Sequence, residues 1–251
     1  MTGPLMKILE VSPSSYETLI GLVTLGKMKI IRNRILHYLG KNKLAVLDAG
    51  CGVGGILEEI LQINENVEIN CIDKSNEVIG ILTKKFDASI KKEKLHVIDG
   101  DIMSNKTLDN ELKYDVIINT HLLSEIEPEF IYNLLERYNS YLNCNGLIFI
   151  ADELSPNSKI KKAIFHLLRT PLDFISYLVD KHKEIRNKSF WAILLFYVLE
   201  FPLIIFSYFP NAPITHPLKN IEEKLINAGF EIIEQIKFQF DTFGLYVARK
   251  R

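Results

Sequence analysis

The chain has 251 residues, enough for one α/β domain with a sizeable core. Its formal net charge of −1 gives no electrostatic reason for a nucleic-acid partner. Cys51, Cys71 and Cys144 stand without a CxxC pair, which excludes a disulfide framework and a zinc pattern and suits a reducing cytoplasm.

Met1–Glu10 lacks a long apolar run, so no signal peptide is expected. Ser14–Leu39 reads as one long or broken helix, capped at Ser14 or Ser15 with Glu17 in its first turn. Short apolar runs then alternate with helical patterns. Strands are expected at Leu44–Asp48, Val67–Ile72, Leu95–Ile98, Tyr114–Asn119 and Leu147–Ala151, and helices at Gly54–Ile63, Asn76–Phe86 and Pro128–Leu142. That alternation argues for a doubly wound, mostly parallel sheet. Leu154–Pro217 is an apolar insert with two helical stretches. Lys219–Ala228 reads as a helix stopped by Gly229, followed by strands at Phe230–Phe238 and Thr242–Ala248. Their link, Gln239–Asp241, is too short for a parallel crossover, so the sheet is expected to end in an antiparallel pair.

The segment Val46-Leu47-Asp48-Ala49-Gly50-Cys51-Gly52-Val53-Gly54-Gly55 ends a strand, turns on glycines and starts a helix. Missing side chains let a ligand approach the backbone, and a helix N-terminus offers free N–H groups. Asp73 follows the next strand at the distance of a ribose-binding acid. Gly50, Gly52 and Gly55 also satisfy GxGxxG, so an NAD-dependent oxidoreductase stays formally open. Three features tilt against it. Asp48 can accept from an ammonium, a use a pyrophosphate site lacks. Asp101, in Gly100-Asp101-Ile102 after the third strand, can accept the exocyclic amine of adenine. The terminal antiparallel pair is wrong for a simple dinucleotide domain.

On these residues the chain resembles the class I S-adenosylmethionine (SAM)-dependent methyltransferases, over Lys43–Ile150 and again in the terminal strands. VLDAGCGVGG looks like the family's first motif. The resemblance implies a Rossmann-like seven-stranded sheet with SAM as cofactor. It places Asp48, Gly50, Cys51 and Gly52 at the methionine end, Asp73 and Lys74 at the ribose, and Asp101 with Ile102 at the adenine. Asn119 would lie near the methionine moiety. Within the family, the methyltransferases of ubiquinone and menaquinone biosynthesis are the nearer match. Met6–Glu10, Pro13, Tyr16, Thr24–Lys27, Leu123-Ser124-Glu125 and Ala151-Asp152-Glu153 are similar to a narrower subgroup, the corrinoid-protein-associated methyltransferases. The longer apolar insert departs from that subgroup.

A sulfonium makes its methyl group electrophilic, so the protein's main task is in-line alignment. A base is needed only where the acceptor carries a proton. His121 is the candidate base, with a backbone-bonded structural histidine as the plain alternative. Asp152 and Glu153 could join His121 around a metal, but their spacing is not diagnostic, and an acidic pair starting a helix is the preferred reading, with no metal expected. Tyr16 either folds over the cofactor or packs its own helix.

The insert contains Phe190–Phe209, twenty residues with one charge, long enough to span a bilayer. Glu200 and Pro202 near its middle, and terminal strands that must return to the sheet, argue against a simple span. A helical cap or homodimer contact is one reading. The other is a surface lying on the inner face of a membrane or receiving a lipophilic substrate, favoured by Lys159, Lys161, Lys162, Arg169, Lys181, Lys183, Arg186 and Lys188. The expectation is one domain over residues 1–251, with a helical leader at 1–40 and the insert at 154–217. It is a cytoplasmic, SAM-binding methyltransferase for a small or lipophilic acceptor. A non-catalytic SAM-binding partner of a corrinoid protein is the alternative from another class.

Overall fold

The computed structural model describes residues 26–104, 107–109, 111–155, 158, 218–238 and 241–251. The expectations for the leader before residue 26, Tyr16 included, and for most of the insert, Phe190–Phe209 included, lie outside the described residues. Among the described residues no helix is long and apolar enough to cross a membrane.

Helix α1 spans Lys27–Leu39 and leads into strand β1, Leu44–Ala49. Then follow α2 (Leu57–Ile63), β2 (Val67–Asp73), α3 (Asn76–Lys85), a short α4 (Asp87–Lys91), β3 (Leu95–Asp99) and β4 (Tyr114–Thr120). A 3₁₀ turn at Leu123–Glu125 precedes α5 (Ile131–Tyr141) and β5 (Leu142–Glu153). After the insert come α6 (Ile221–Asn227), β6 (Phe230–Phe238) and β7 (Phe243–Lys250). The seven strands form one sheet in the order β3-β2-β1-β4-β5-β7-β6. β1 to β5 run parallel, while β7 lies antiparallel between β5 and β6. The expected seven-stranded architecture and its terminal antiparallel pair are both present.

Both faces of the sheet are covered, which is why β1 and β4 read as nearly continuous apolar runs. Strand side chains alternate between two cores. Val46, Ile118 and Phe149 pack with Ile31 and Ile35 of α1, Leu57 of α2 and Leu82 of α3. Leu47, Ile117 and Ile148 pack with Leu134, Leu135 and Tyr138 of α5 and Leu225 of α6. Helix α1 is also tied to the far edge of the sheet. Arg34 donates to both carboxylate oxygens of Glu234 on β6 at 2.9 and 2.8 Å, and the Tyr38 hydroxyl donates to the same group.

Three elements differ from the sequence reading. The helix expected from Gly54 begins only at Leu57, because Gly54 is left-handed (φ 72°) and cannot join a right-handed turn. The expected helix at Asn76–Phe86 is followed by a second one, α4. The acidic pair expected to start a helix, Asp152 and Glu153, instead continues β5, because Gly244 and Phe243 of β7 supply ladder partners that the local sequence does not reveal.

At Gly54 an added Cβ would sit 2.7 Å from Phe86 Cε2 and 2.9 Å from Leu82 Cδ2. Left-handed backbone costs about 1–2 kcal/mol per residue bearing a Cβ, and an extra carbon in a filled core about 1–3 kcal/mol. Gly54→Ala is therefore expected to lose about 2–4 kcal/mol of stability in urea denaturation. An unchanged midpoint would show that this turn is looser than its packing indicates.

Candidate active site

Parallel strands bring their carboxyl ends to one edge, and the strand order reverses between β1 and β4. A crevice opens at such a switch point. Here it is a cavity of about 510 Å³. Its walls are built from the loops that follow four adjacent strands: Gly50 and Gly52 after β1, Asp73 and Lys74 at the end of β2, Gly100 to Met103 after β3, and Thr120 to Leu122 at the end of β4.

The glycine loop is stitched to β2. The Ile72 carbonyl accepts from Gly50 N–H at 2.9 Å and from Cys51 N–H at 3.1 Å. One Asp73 oxygen accepts from Gly52 N–H, and the other from Ser75 N–H, each at 3.0 Å. Burial pushes the Asp73 carboxyl up, and these backbone N–H groups oppose it. Gly50 is left-handed (φ 72°), and an added Cβ would meet Leu122 at 3.0–3.2 Å, which explains the glycine.

Asp48 and Cys51 sit behind the loop in a second, smaller compartment. Met28 and Arg32 of α1 line it together with Gly52, Thr120 and His121. Asp48 is 1% exposed, and among the described residues neither carboxylate oxygen has a hydrogen-bond partner. Burial, reinforced by the nearby Asp73 charge and opposed by Arg32, pushes its pKa up to about 7. A buried carboxylate with no donor is costly and calls for one. The Cys51 thiol is held well above its usual range by its contact with the Cys71 thiol and by burial.

His121 borders both compartments. Its backbone is left-handed (φ 55°), its N–H donates to Ala151 O at 2.9 Å, and its ring stacks on Phe243 with centroids 5.1 Å apart. Beyond β3, Asp101 Oδ1 accepts from Met103 N–H at 2.8 Å, while Ile102 is buried in the cavity wall.

The remaining expected residues are placed elsewhere. Asn119 is fully buried and does not border the cavity; its amide donates to the Tyr138 hydroxyl on α5 at 2.9 Å. Asp152 accepts from Ser124 N–H (3.2 Å) and Glu153 N–H (2.7 Å), pinning the 3₁₀ turn to β5. Among the described residues no three His, Cys, Asp or Glu side chains are grouped as metal ligands. Two residues went unnoticed in the sequence. Arg32 is a charge on the otherwise apolar stripe Met28-Ile31-Ile35-Leu39 of α1, a signal that was readable. Arg137 lines the cavity from α5 and bonds the loop after β3, which nothing local announces.

This fold and crevice define a Rossmann-like methyltransferase architecture. A family model described as a methyltransferase domain matches residues 26–200, and the chain belongs to that family. The dinucleotide oxidoreductase reading of the glycine loop gives way to it. A ubiquinone biosynthesis O-methyltransferase of Rickettsia typhi (strain ATCC VR-144 / Wilmington) is 29% identical over 125 residues, 49% of this chain and 46% of the relative, so the match spans under half of that protein. Among solved structures, magnesium protoporphyrin IX methyltransferase from Synechocystis PCC 6803, described with bound S-adenosylhomocysteine (SAH), superposes with a TM-score of 0.57 at 14% identity, covering 92% of this chain and 87% of that one. The [4+2]-cyclase SpnF superposes with a TM-score of 0.56 at 13% identity, covering 87% and 80%. These two likenesses are of fold alone, and the second shows that the fold also carries other chemistry.

Asp152→Ala leaves two buried backbone N–H groups without an acceptor, each costing about 1–3 kcal/mol. The variant is expected to lose about 2–4 kcal/mol in chemical denaturation. A loss below about 0.5 kcal/mol, the level of ordinary surface changes, would show that the 3₁₀ turn does not depend on it.

Proposed function

We propose that the chain binds SAM along the carboxyl edge of β1 to β4 and transfers its methyl group to a small or lipophilic acceptor. One observation carries the reading: the buried Asp48 carboxylate beside the glycine loop, which has no donor among the described residues. An α-ammonium fits that carboxylate in chemical type, and a pyrophosphate would meet repulsion there. Arg32, which lines the same compartment, suits the α-carboxylate. Asp73 has lone pairs left for ribose hydroxyls beside Lys74, and Asp101 with Ile102 suits the adenine. Bound SAM would supply an electrophilic methyl group.

The chain's own contribution is then alignment and exclusion of water. His121 is the basic side chain that borders both compartments, and we assign it to proton removal from a hydroxyl acceptor. The lipophilic acceptor is supported by the apolar run Phe190–Phe209 in the sequence and by the ubiquinone-pathway name of the relative. Contact of the insert with a membrane surface belongs to the same proposal.

SAH titrated into the full chain by calorimetry tests the cofactor. Submillimolar binding is expected, and Asp48→Asn should weaken it about 100-fold or more, the order of an unpaired buried charge. Tight NADH binding without SAH binding would overturn the reading. Asp48 is largely neutral below about pH 7, so SAH affinity is expected to fall as pH drops through 7. The folded carboxyl holds its proton more tightly than an unfolded one, near 3.9. Its contribution to stability is therefore present at low pH and lost as pH rises towards 7. Asp48→Asn should accordingly raise the Tm of the ligand-free chain at pH 8 while weakening SAH binding.

For His121, general-base catalysis is typically worth about 10²–10⁴-fold. His121→Ala should slow transfer from methyl-labelled SAM to a phenolic acceptor by that order, with SAH affinity within about twofold. An undiminished rate would remove His121 from the mechanism.

A further inference from the structure

Arg137 of α5 grips the turn that carries Asp101. The turn after β3 is bonded to itself: the Asp101 carbonyl accepts from Ser104 N–H at 2.9 Å and from Thr107 Oγ1 at 2.6 Å, while the Asp101 carboxylate accepts from Met103 N–H. These bonds shape the turn without fixing it to the body of the protein. Arg137 makes a bond of another kind. From the second turn of α5 its Nη1 donates to Ile102 O at 2.7 Å and its Nη2 to Met103 O at 3.0 Å. Two successive peptide carbonyls are gripped by one planar fork, which fixes both position and tilt of the turn. Helix α5 itself is anchored in the core by fully buried Leu134, Leu135 and Tyr138, so the grip transmits a rigid reference.

We infer that Arg137 is a positioning residue for base selectivity: by clamping the Ile102 and Met103 carbonyls it holds the Asp101 carboxylate where it accepts the exocyclic amine of a purine and rejects a purine carbonyl. The inference rests on the proposed placement of adenine at Asp101 and Ile102. An acceptor-only carboxylate facing an amine forms a hydrogen bond; facing a carbonyl oxygen it meets another acceptor. A site built to use such a bond rejects the analogue lacking it far more strongly than an apolar pocket rejects a change of size. That discrimination needs the carboxylate held within a fraction of an ångström. Asp101 is exposed and its carboxylate is held through Met103 N–H of the same turn, so its position follows the turn; Gly100 N–H on the Asp73 carbonyl and the buried Ile102 side chain seat that turn, and Arg137 sets its tilt through two carbonyls. Lysine would keep the charge but not the two-pronged geometry.

The test is calorimetric titration of the full chain with SAH and with S-inosylhomocysteine, in which a carbonyl replaces the adenine amine. Wild type is expected to prefer SAH by at least about tenfold. In Arg137→Lys and Arg137→Ala the preference should collapse to about twofold or less. SAH affinity should fall about tenfold, the order of one charge-assisted hydrogen bond, and inosyl affinity should change little. General loosening of the protein would weaken both ligands alike and leave the ratio intact, so an intact ratio in Arg137→Lys overturns the inference. Should Arg137→Ala not fold, Arg137→Lys decides alone. Wild type that binds SAH without preferring it over the inosyl compound also overturns the inference while leaving the SAM reading standing. Wild type that binds neither overturns both.

Discussion

The attachment of the glycine loop to strand β2 is the constraint on which the site depends. Cys51 and Val53 are the loop's buried side chains, and its glycines have none with which to fix the backbone. It is held instead by one carbonyl, Ile72, that takes two amide protons, and by one carboxylate, Asp73, that takes a third from Gly52. The attachment works because β1 and β2 are parallel neighbours in register, Asp48 opposite Cys71 and Ala49 opposite Ile72. The crossover through α2 brings the chain back so that the end of β2 lies beside the turn after β1. Once that turn is fixed, the position of Asp48 behind it, and of the compartment it shares with Arg32, follows from the strand.

Asp48 shows how the fold creates chemical potential without placing a partner. A carboxylate at the end of a central strand loses its water, and nothing among the described residues donates to it. Its pKa rises to about 7, so the group sits near the boundary between acid and anion. Such a residue is a liability for stability, and the proposed cationic ligand group would relieve it. The fold is similar to that of a cyclase as well as to those of methyltransferases, so architecture alone does not choose a reaction.

Much of the fold was legible because its signals are local. Apolar runs such as VIIN in β4, glycine punctuation and the three-residue link before β7 follow from chain geometry, and every expected strand of the sheet exists. Where structure and sequence reading part, the causes are separate. Asp152 and Glu153 look like the start of a helix, yet they are strand because β7, nearly a hundred residues later, pairs with them. Gly54 lies in a helical pattern, yet its left-handed conformation delays α2 to Leu57. Asn119, at a strand end, points into the α5 interface, since its position in the alternation selects that face.

By itself the sequence determined the class of fold, the glycine turn and the acids that follow three successive strands, because each is written in consecutive residues. Only the tertiary structure decided which of those acids stand together and in what state. Among the described residues it left Asp48 without a donor, engaged Asp73 and Asp152 with backbone N–H groups, and brought Arg32 and Arg137 from separate helices to the walls of two neighbouring compartments. Burial and partnership are properties of packing between distant segments, and no local pattern records them.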